Sequence, residues 1–193
     1  MQNINCAGKS DEELVLLTLK NQDFFLCLMS KYSVPLTKYI LRSTNATRED
    51  AEDILQDAFI KIYRNLNDFD PGMKFSSWAY RITHNEIISR WRRNKTRPEL
   101  INSEAKDLLL AKIGSNTDIE KDLLTKDLRD ELFGLLTKLD EKYRQVIILR
   151  YFEEKDYKEI SDILKLPINT VGTLLSRAKK KLERLLLNKN IKL

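Results

Sequence analysis

The chain has 193 residues, 33% of them charged, with a net charge of +5 and a sequence pI near 9.1. Five glycines and four prolines argue against a sandwich or barrel, no apolar run approaches the ~20 residues that span a bilayer, and a single histidine excludes a His-based metal cluster or triad. What remains is an all-α chain, long enough for one domain or two small ones, with enough positive charge to permit a polyanionic partner. The opening MQNINCAGKSDEE has no signal-peptide apolar segment, so the chain is expected in the cytoplasm with no membrane insertion of its own. Cys6 and Cys27 are too few for a disulfide framework and lack metal-ligand spacing; they fit a reducing cytoplasm, and neither looks reactive.

Residues 1–9 are unpatterned and read as a tail. Ser10 and Glu13 then form an S-x-x-E capping box ahead of Leu14, Leu16, Leu17 and Leu19, which predicts a first short helix. A second helix is predicted over 22–43, where Phe24, Phe25, Leu28, Met29, Tyr32, Leu36, Tyr39 and Ile40 recur at core spacing. Pro35 is expected to bend or interrupt it. The third, over 47–66, opens on Thr47 as a cap and carries Ala51, Ile54, Leu55, Ala58, Phe59, Ile62 and Leu66 on one face. Glu49, Glu52, Asp53, Gln56 and Asp57 make an acidic stripe on the other.

Asp68, Asp70, Pro71 and Gly72 supply turn chemistry. The block that follows, 74–97, combines apolar Trp78, Ile82, Ile87, Ile88 and Trp91 with basic Lys74, Arg81, Arg90, Arg92, Arg93, Lys95 and Arg97. Lys74, Phe75, Trp78, Arg81, Asn85, Ser89 and the basic run 90–93 mix donors, planar rings and positive charge. Single-stranded DNA demands that mixture, because rings stack on bases and cations neutralise phosphates. Phe75 reads equally as a stacking ring or a core residue, whereas Trp78 and Trp91 read as core.

From 98 to 122 the pattern weakens around Gly114, Ser115, Asn116 and Thr117 and reads as a linker, with a transient helix allowed over 103–112. Helical periodicity returns over 123–187. Within YKEISDILKLPINTVGTLLSRAKKKLERLLLN, Ile160, Ser161, Leu164, Val171 and Leu174 occupy the positions of a helix-turn-helix. Thr170, Thr173, Ser176, Arg177 and Lys180 fall on the exposed side of its second helix, where major-groove readout needs hydrogen-bonding groups, while Lys179, Lys181 and Arg184 suit phosphates or solvent. The turn at Lys165 and Leu166 lacks the usual glycine, and Gly172 weakens the second helix.

AEDILQDAFIKIYRNL followed by FSSWAYRITHNEIISRWRR resembles region 2 of bacterial RNA polymerase sigma factors of the extracytoplasmic-function group. The segment 157–188 resembles region 4 of the same group, in the family's order. The resemblance implies two small helical domains, region 2 over 10–97 and a region 4 helix-turn-helix over 123–188, joined by the linker, with tails at 1–9 and 189–193. It implies that Asp53, Gln56 and Asp57 bind the clamp helices of the polymerase's largest subunit. Lys74, Phe75, Arg81, Asn85, Ser89, Arg90 and Arg93 would meet the minus-ten element, with the loop 68–72 edging a pocket for an everted base. Thr170, Thr173, Ser176, Arg177 and Lys180 would read the minus-thirty-five element, and region 4 would touch the flap of the second-largest subunit. An anti-sigma partner is implied as well, and no cofactor. The linker suits two footholds on the polymerase rather than one body. The rival readings are an autonomous helix-turn-helix regulator and a protein-interaction module; with no assembled nucleophile, phosphate loop or metal spacing, an enzyme ranks last.

Overall fold

The computed structural model describes residues 5–44, 46–95 and 134–187, all helical or in short connections. Helix α1 (Asp11–Lys20) starts on the expected capping box: Ser10 Oγ accepts from the Glu13 amide at 3.1 Å, and the Glu13 carboxylate accepts from the Ser10 amide at 2.7 Å. It buries Leu14, Val15 and Thr18, whereas Leu16 and Leu19 face solvent. A 3-10 turn, Gln22–Phe24, leads into α2 (Phe25–Ser43), which runs unbroken through Pro35. The expected interruption does not occur. The hydroxyls of Ser33 and Thr37, on either side of the ring, donate to the Met29 and Ser33 carbonyls, and the carbonyl that Pro35 deprives of its i+4 amide is that of Lys31.

Helix α3 (Arg48–Arg64) is capped by Thr47 and buries Ala51, Ile54, Ala58, Phe59 and Ile62. After a 3-10 turn at Leu66–Asp68, Asp70 accepts from the Gly72 amide at 2.8 Å and the chain turns into α4 (Phe75–Lys95). These helices close around Leu28, Leu36, Ile40 and Ile62, each at most 1% exposed and worth about 1.5–3 kcal/mol of burial. Ala51, Ala58 and Ala79 are fully covered and let the helix backbones approach closely. Phe75 settles into the core at 1% exposure, with Tyr32, Phe69 and Trp78 around it at ring-centroid distances of 5.4, 5.6 and 5.8 Å. Its assignment to the minus-ten set is therefore corrected, since a ring enclosed on all sides has no face to offer a base. Trp91 is corrected in the opposite direction: expected in the core, it is 47% exposed near the end of α4, beyond the part of the helix that the bundle covers.

The cysteines also require correction. Cys6 and Cys27 form a disulfide with Cα atoms 5.6 Å apart, because the stretch before α1 folds back on α2. The bond joins residues 21 apart in sequence, a pairing that local spacing does not display.

The C-terminal unit comprises α5 (Glu141–Ile147), a π-helical segment Ile148–Phe152, α6 (Tyr157–Leu164) and α7 (Ile168–Leu187). Asp156 and Glu159 cap α6 reciprocally, at 2.7 and 2.9 Å. Ile160, Ile163, Val171, Leu175 and Ala178 seal α6 against α7. Without a glycine, the turn takes its left-handed residue at Lys165, φ 52°, and the Ser161 hydroxyl donates to the Leu166 carbonyl. Ser161 thus fastens the turn as well as being small.

The two units lie against each other, with α4 alongside α6 and α2 touching the π-helical segment. The linker, its transient helix and the 189–193 tail lie outside the described residues. No described helix is long and apolar enough to cross a membrane.

Candidate nucleic-acid interface

Three faces carry the residues singled out above. On α3, burial of the apolar stripe leaves Asp53 and Gln56 exposed and Asp57 partly so, at steps of three and four along one side. The carboxylates do not stand alone. Arg90 of α4 reaches across to Asp50 at 2.7 Å and Asp53 at 3.2 Å, joining the acidic stripe to the basic helix. Burial alone would raise the Asp50 carboxyl, but hydrogen bonds from Thr47 and Arg90 outweigh it and hold the group below its ordinary value.

On α4, Arg81, Asn85, Ser89 and Arg93 recur every four residues and so line one side of the helix. Asn85, Ser89 and Arg93 are exposed; Arg93 Nε lies 3.4 Å from the Ser89 carbonyl. Lys74 and Arg81, at the other end, meet the C-terminal unit. Lys74 Nζ pairs with Glu159 at 3.1 Å, and Arg81 Nε donates to the Asp162 carbonyl at 2.6 Å. The Glu159 hydrogen bond raises the Lys74 ammonium above its ordinary value. One end of the row is thus open to a strand, while at the other the exposed Lys74 and the partly buried Arg81 are bonded to the C-terminal unit.

On α7, Thr173, Ser176, Arg177 and Lys180 are exposed and Thr170 partly so, while the opposite side is sealed by Val171, Leu175 and Ala178. The flanking lysines turn back: Lys181 pairs with Asp140 at 2.8 Å, and Lys179 sits over the Tyr151 ring at 5.4 Å. Hydroxyls, a guanidinium and an ammonium on consecutive turns of a helix-turn-helix second helix can address base edges and phosphates in a major groove. Gly172 faces the Tyr157 ring of α6, 3.7 Å from where a Cβ would stand.

Sequence reasoning missed a polar network between the units. Glu153, whose side chain is 5% exposed, accepts from Arg42 at 2.8 Å and from Tyr80 at 2.7 Å. Tyr39 and Ser43 donate to Gln145 Oε1 at 3.1 and 3.2 Å, and Tyr39 also bonds His84 Nδ1 at 2.9 Å. Tyr39 looked like a plain core residue, and Tyr80 was not singled out, because a helical stripe records burial, not what a phenol hydroxyl meets. Their partners lie 45 to 106 residues away.

An acidic helix face beside a basic one, followed by a helix-turn-helix, defines a two-module DNA-binding protein. The sigma-70 region 2 family matches residues 28–97, and sigma-70, region 4 matches 129–182. The extracytoplasmic-function RNA polymerase sigma factor SigW of Bacillus subtilis is 32% identical over 168 residues, covering 85% of this chain and 89% of SigW. The RNA polymerase sigma factor YlaC of the same organism is 29% identical over 86% of this chain and 94% of its own length. Among solved structures, CnrH in complex with the cytosolic domain of CnrY superposes with a TM-score of 0.68 at 26% identity, covering 94% of this chain and 99% of that one. The chain belongs to the sigma-70 family, in its extracytoplasmic-function group of RNA polymerase sigma factors. It binds RNA polymerase and directs transcription initiation at promoters.

Proposed function

We propose how the work of initiation divides among the three faces. The α3 stripe of Asp53, Gln56 and Asp57 docks on the clamp helices of the polymerase's largest subunit. Lys74, Arg81, Asn85, Ser89, Arg90 and Arg93 hold the opened minus-ten strand. Thr170, Thr173, Ser176, Arg177 and Lys180 read the minus-thirty-five element, with the same unit near the flap of the second-largest subunit. The protein acts by binding: strand opening is driven by base capture, at about 1–3 kcal/mol per stacked or pocketed base, and needs no nucleotide hydrolysis. With Phe75 withdrawn into the core, the 68–72 turn and the exposed Asn85 and Ser89 are the groups left to receive an unpaired base.

The observation that carries this reading is the row Thr173, Ser176, Arg177 and Lys180, exposed on the second helix of a helix-turn-helix in a chain that also presents an acidic face. A protein partner belongs to the proposal too. CnrH was solved with the cytosolic domain of CnrY, which supports an anti-sigma protein for this chain. The site of action is the cytoplasm. Purified core polymerase with this protein, and start sites mapped across genomic DNA, tests the assignment. Factor-dependent starts sharing two spaced motifs are expected, and they should disappear when Asp53 and Asp57 are both changed to Lys. Starts that survive this change would remove the α3 stripe from polymerase binding.

A further inference from the structure

A disulfide is out of place in a chain of this kind. The site of action proposed above is the cytoplasm, where thiols are kept reduced and disulfides are transient, serving redox sensing or catalysis. Cys6 and Cys27 are the chain's two cysteines, so the pair has no third thiol with which to reshuffle. Their surroundings differ. Cys6 is exposed in the stretch ahead of α1, open to an attacking thiolate, whereas Cys27 is 4% exposed. Cys27 is the third residue of α2, whose N-terminus carries no side-chain cap and no acid in its first turn. The helix dipole there favours a negative sulfur, which makes Cys27 the better leaving group.

The bond also closes a mechanical junction. It ties the segment before α1 to α2, and Asp11, in the first turn of α1, accepts from Lys31 and from the Tyr32 hydroxyl further along α2. The Tyr32 ring in turn packs on Phe75, the first residue of α4, at 5.4 Å. Helix α1 has ten residues and buries Leu14, Val15 and Thr18, a small footing that the covalent tie reinforces. We infer that the Cys6–Cys27 pair is a thiol–disulfide exchange site whose oxidation clasps α1 onto α2, so that the thiol balance of the compartment sets how firmly the N-terminal unit is assembled. A thiolate of a cellular dithiol attacks Cys6 Sγ, the S–S bond breaks, and Cys27 leaves as a thiolate and takes up a proton. The second thiol of the dithiol then displaces Cys6 from the mixed disulfide. Two electrons and two protons pass to the pair, and the dithiol becomes a disulfide. Exchange with an oxidised dithiol runs the same steps backwards and closes the clasp. The inference rests on the cytoplasmic site of action proposed above, which supplies the dithiol.

The test equilibrates the full-length protein with mixtures of reduced and oxidised glutathione, traps free thiols with a maleimide and counts them by mass. Two glutathiones stand in for the dithiol, and a single two-electron transition is expected within these mixtures. A pair that stays oxidised in the most reducing mixture is a structural disulfide and overturns the exchange site, as does a pair that never closes in the most oxidising one. Amide hydrogen exchange then compares the oxidised protein, the same protein reduced by dithiothreitol, and Cys6→Ser, a change at an exposed position. Both open forms should exchange their α1 amides faster, by up to about a hundredfold, the limit set by releasing a loop that spans 21 residues. Equal α1 exchange in all three overturns the clasp. Acceleration of the same size in α7 also overturns it, since the opening would then be global rather than at α1. Start-site mapping with core polymerase separates the clasp from the initiation role. If neither the oxidised protein nor Cys6→Ser gives factor-dependent starts, the initiation role fails, while titration and amide exchange still decide the clasp.

Discussion

Acidification should weaken this fold through one residue, and the size of the effect follows from where His84 sits. The ring lies at the boundary between the units, bonded to Tyr39 of α2 and bordering a cavity also lined by Glu141, Lys142 and Gln145 of α5 and by Leu164 and Leu166. Desolvation by burial lowers its pKa from 6.5 to about 4. At neutral pH the imidazole is uncharged in both the folded and unfolded chain and costs nothing. As the pH falls below 6.5 the unfolded chain takes up a proton that the folded chain refuses, so stability declines, and the loss is complete below about 4. A shift of that size corresponds to at most about 3 kcal/mol, an upper figure because the cavity gives part of the ring access to water. His84 is the only histidine in the chain, so a single imidazole C–H resonance reports its titration directly. The difference in unfolding free energy between wild type and His84→Gln across the same pH range separates the histidine from the carboxylates that titrate lower. A titration midpoint near 6.5 in the folded protein, or identical pH profiles for the two proteins, would refute the reasoning.

Other consequences are simpler to read. Gly172→Ala places a methyl group 3.7 Å from the Tyr157 ring, ordinary contact, and removes a helix-interior glycine, so stability should rise by about 1 kcal/mol. In a thermal melt that is a shift of about 2–4 °C for a chain of this size. Arg177→Ala should weaken promoter binding by the assembled holoenzyme by about 1–3 kcal/mol wherever the minus-thirty-five element is needed, leaving its affinity for core polymerase unchanged in a direct binding assay. Reducing the Cys6 to Cys27 bond opens a loop spanning 21 residues and should cost about 3 kcal/mol in a denaturant melt run with and without dithiothreitol.

The sequence by itself determined the helices, their caps and the faces they bury. Ser10 with Glu13, Thr47, and the three-four recurrence through 51–66 act within a turn or two of chain, and local geometry is all they require. The rows Asp53, Gln56 and the partly exposed Asp57, and Thr173, Ser176, Arg177 and Lys180, were legible for the same reason: on an amphipathic helix, knowing the buried side fixes the other. Tertiary structure alone decided what depends on partners distant in sequence. It placed Phe75 inside a ring cluster, left Trp91 outside the bundle, paired Cys6 with Cys27, and brought Glu153 to Arg42 and Tyr80. Periodicity specifies that a side chain is covered without specifying what covers it, so the bonds from Lys74 and Arg81 to α6 appear only once the two units are seen together.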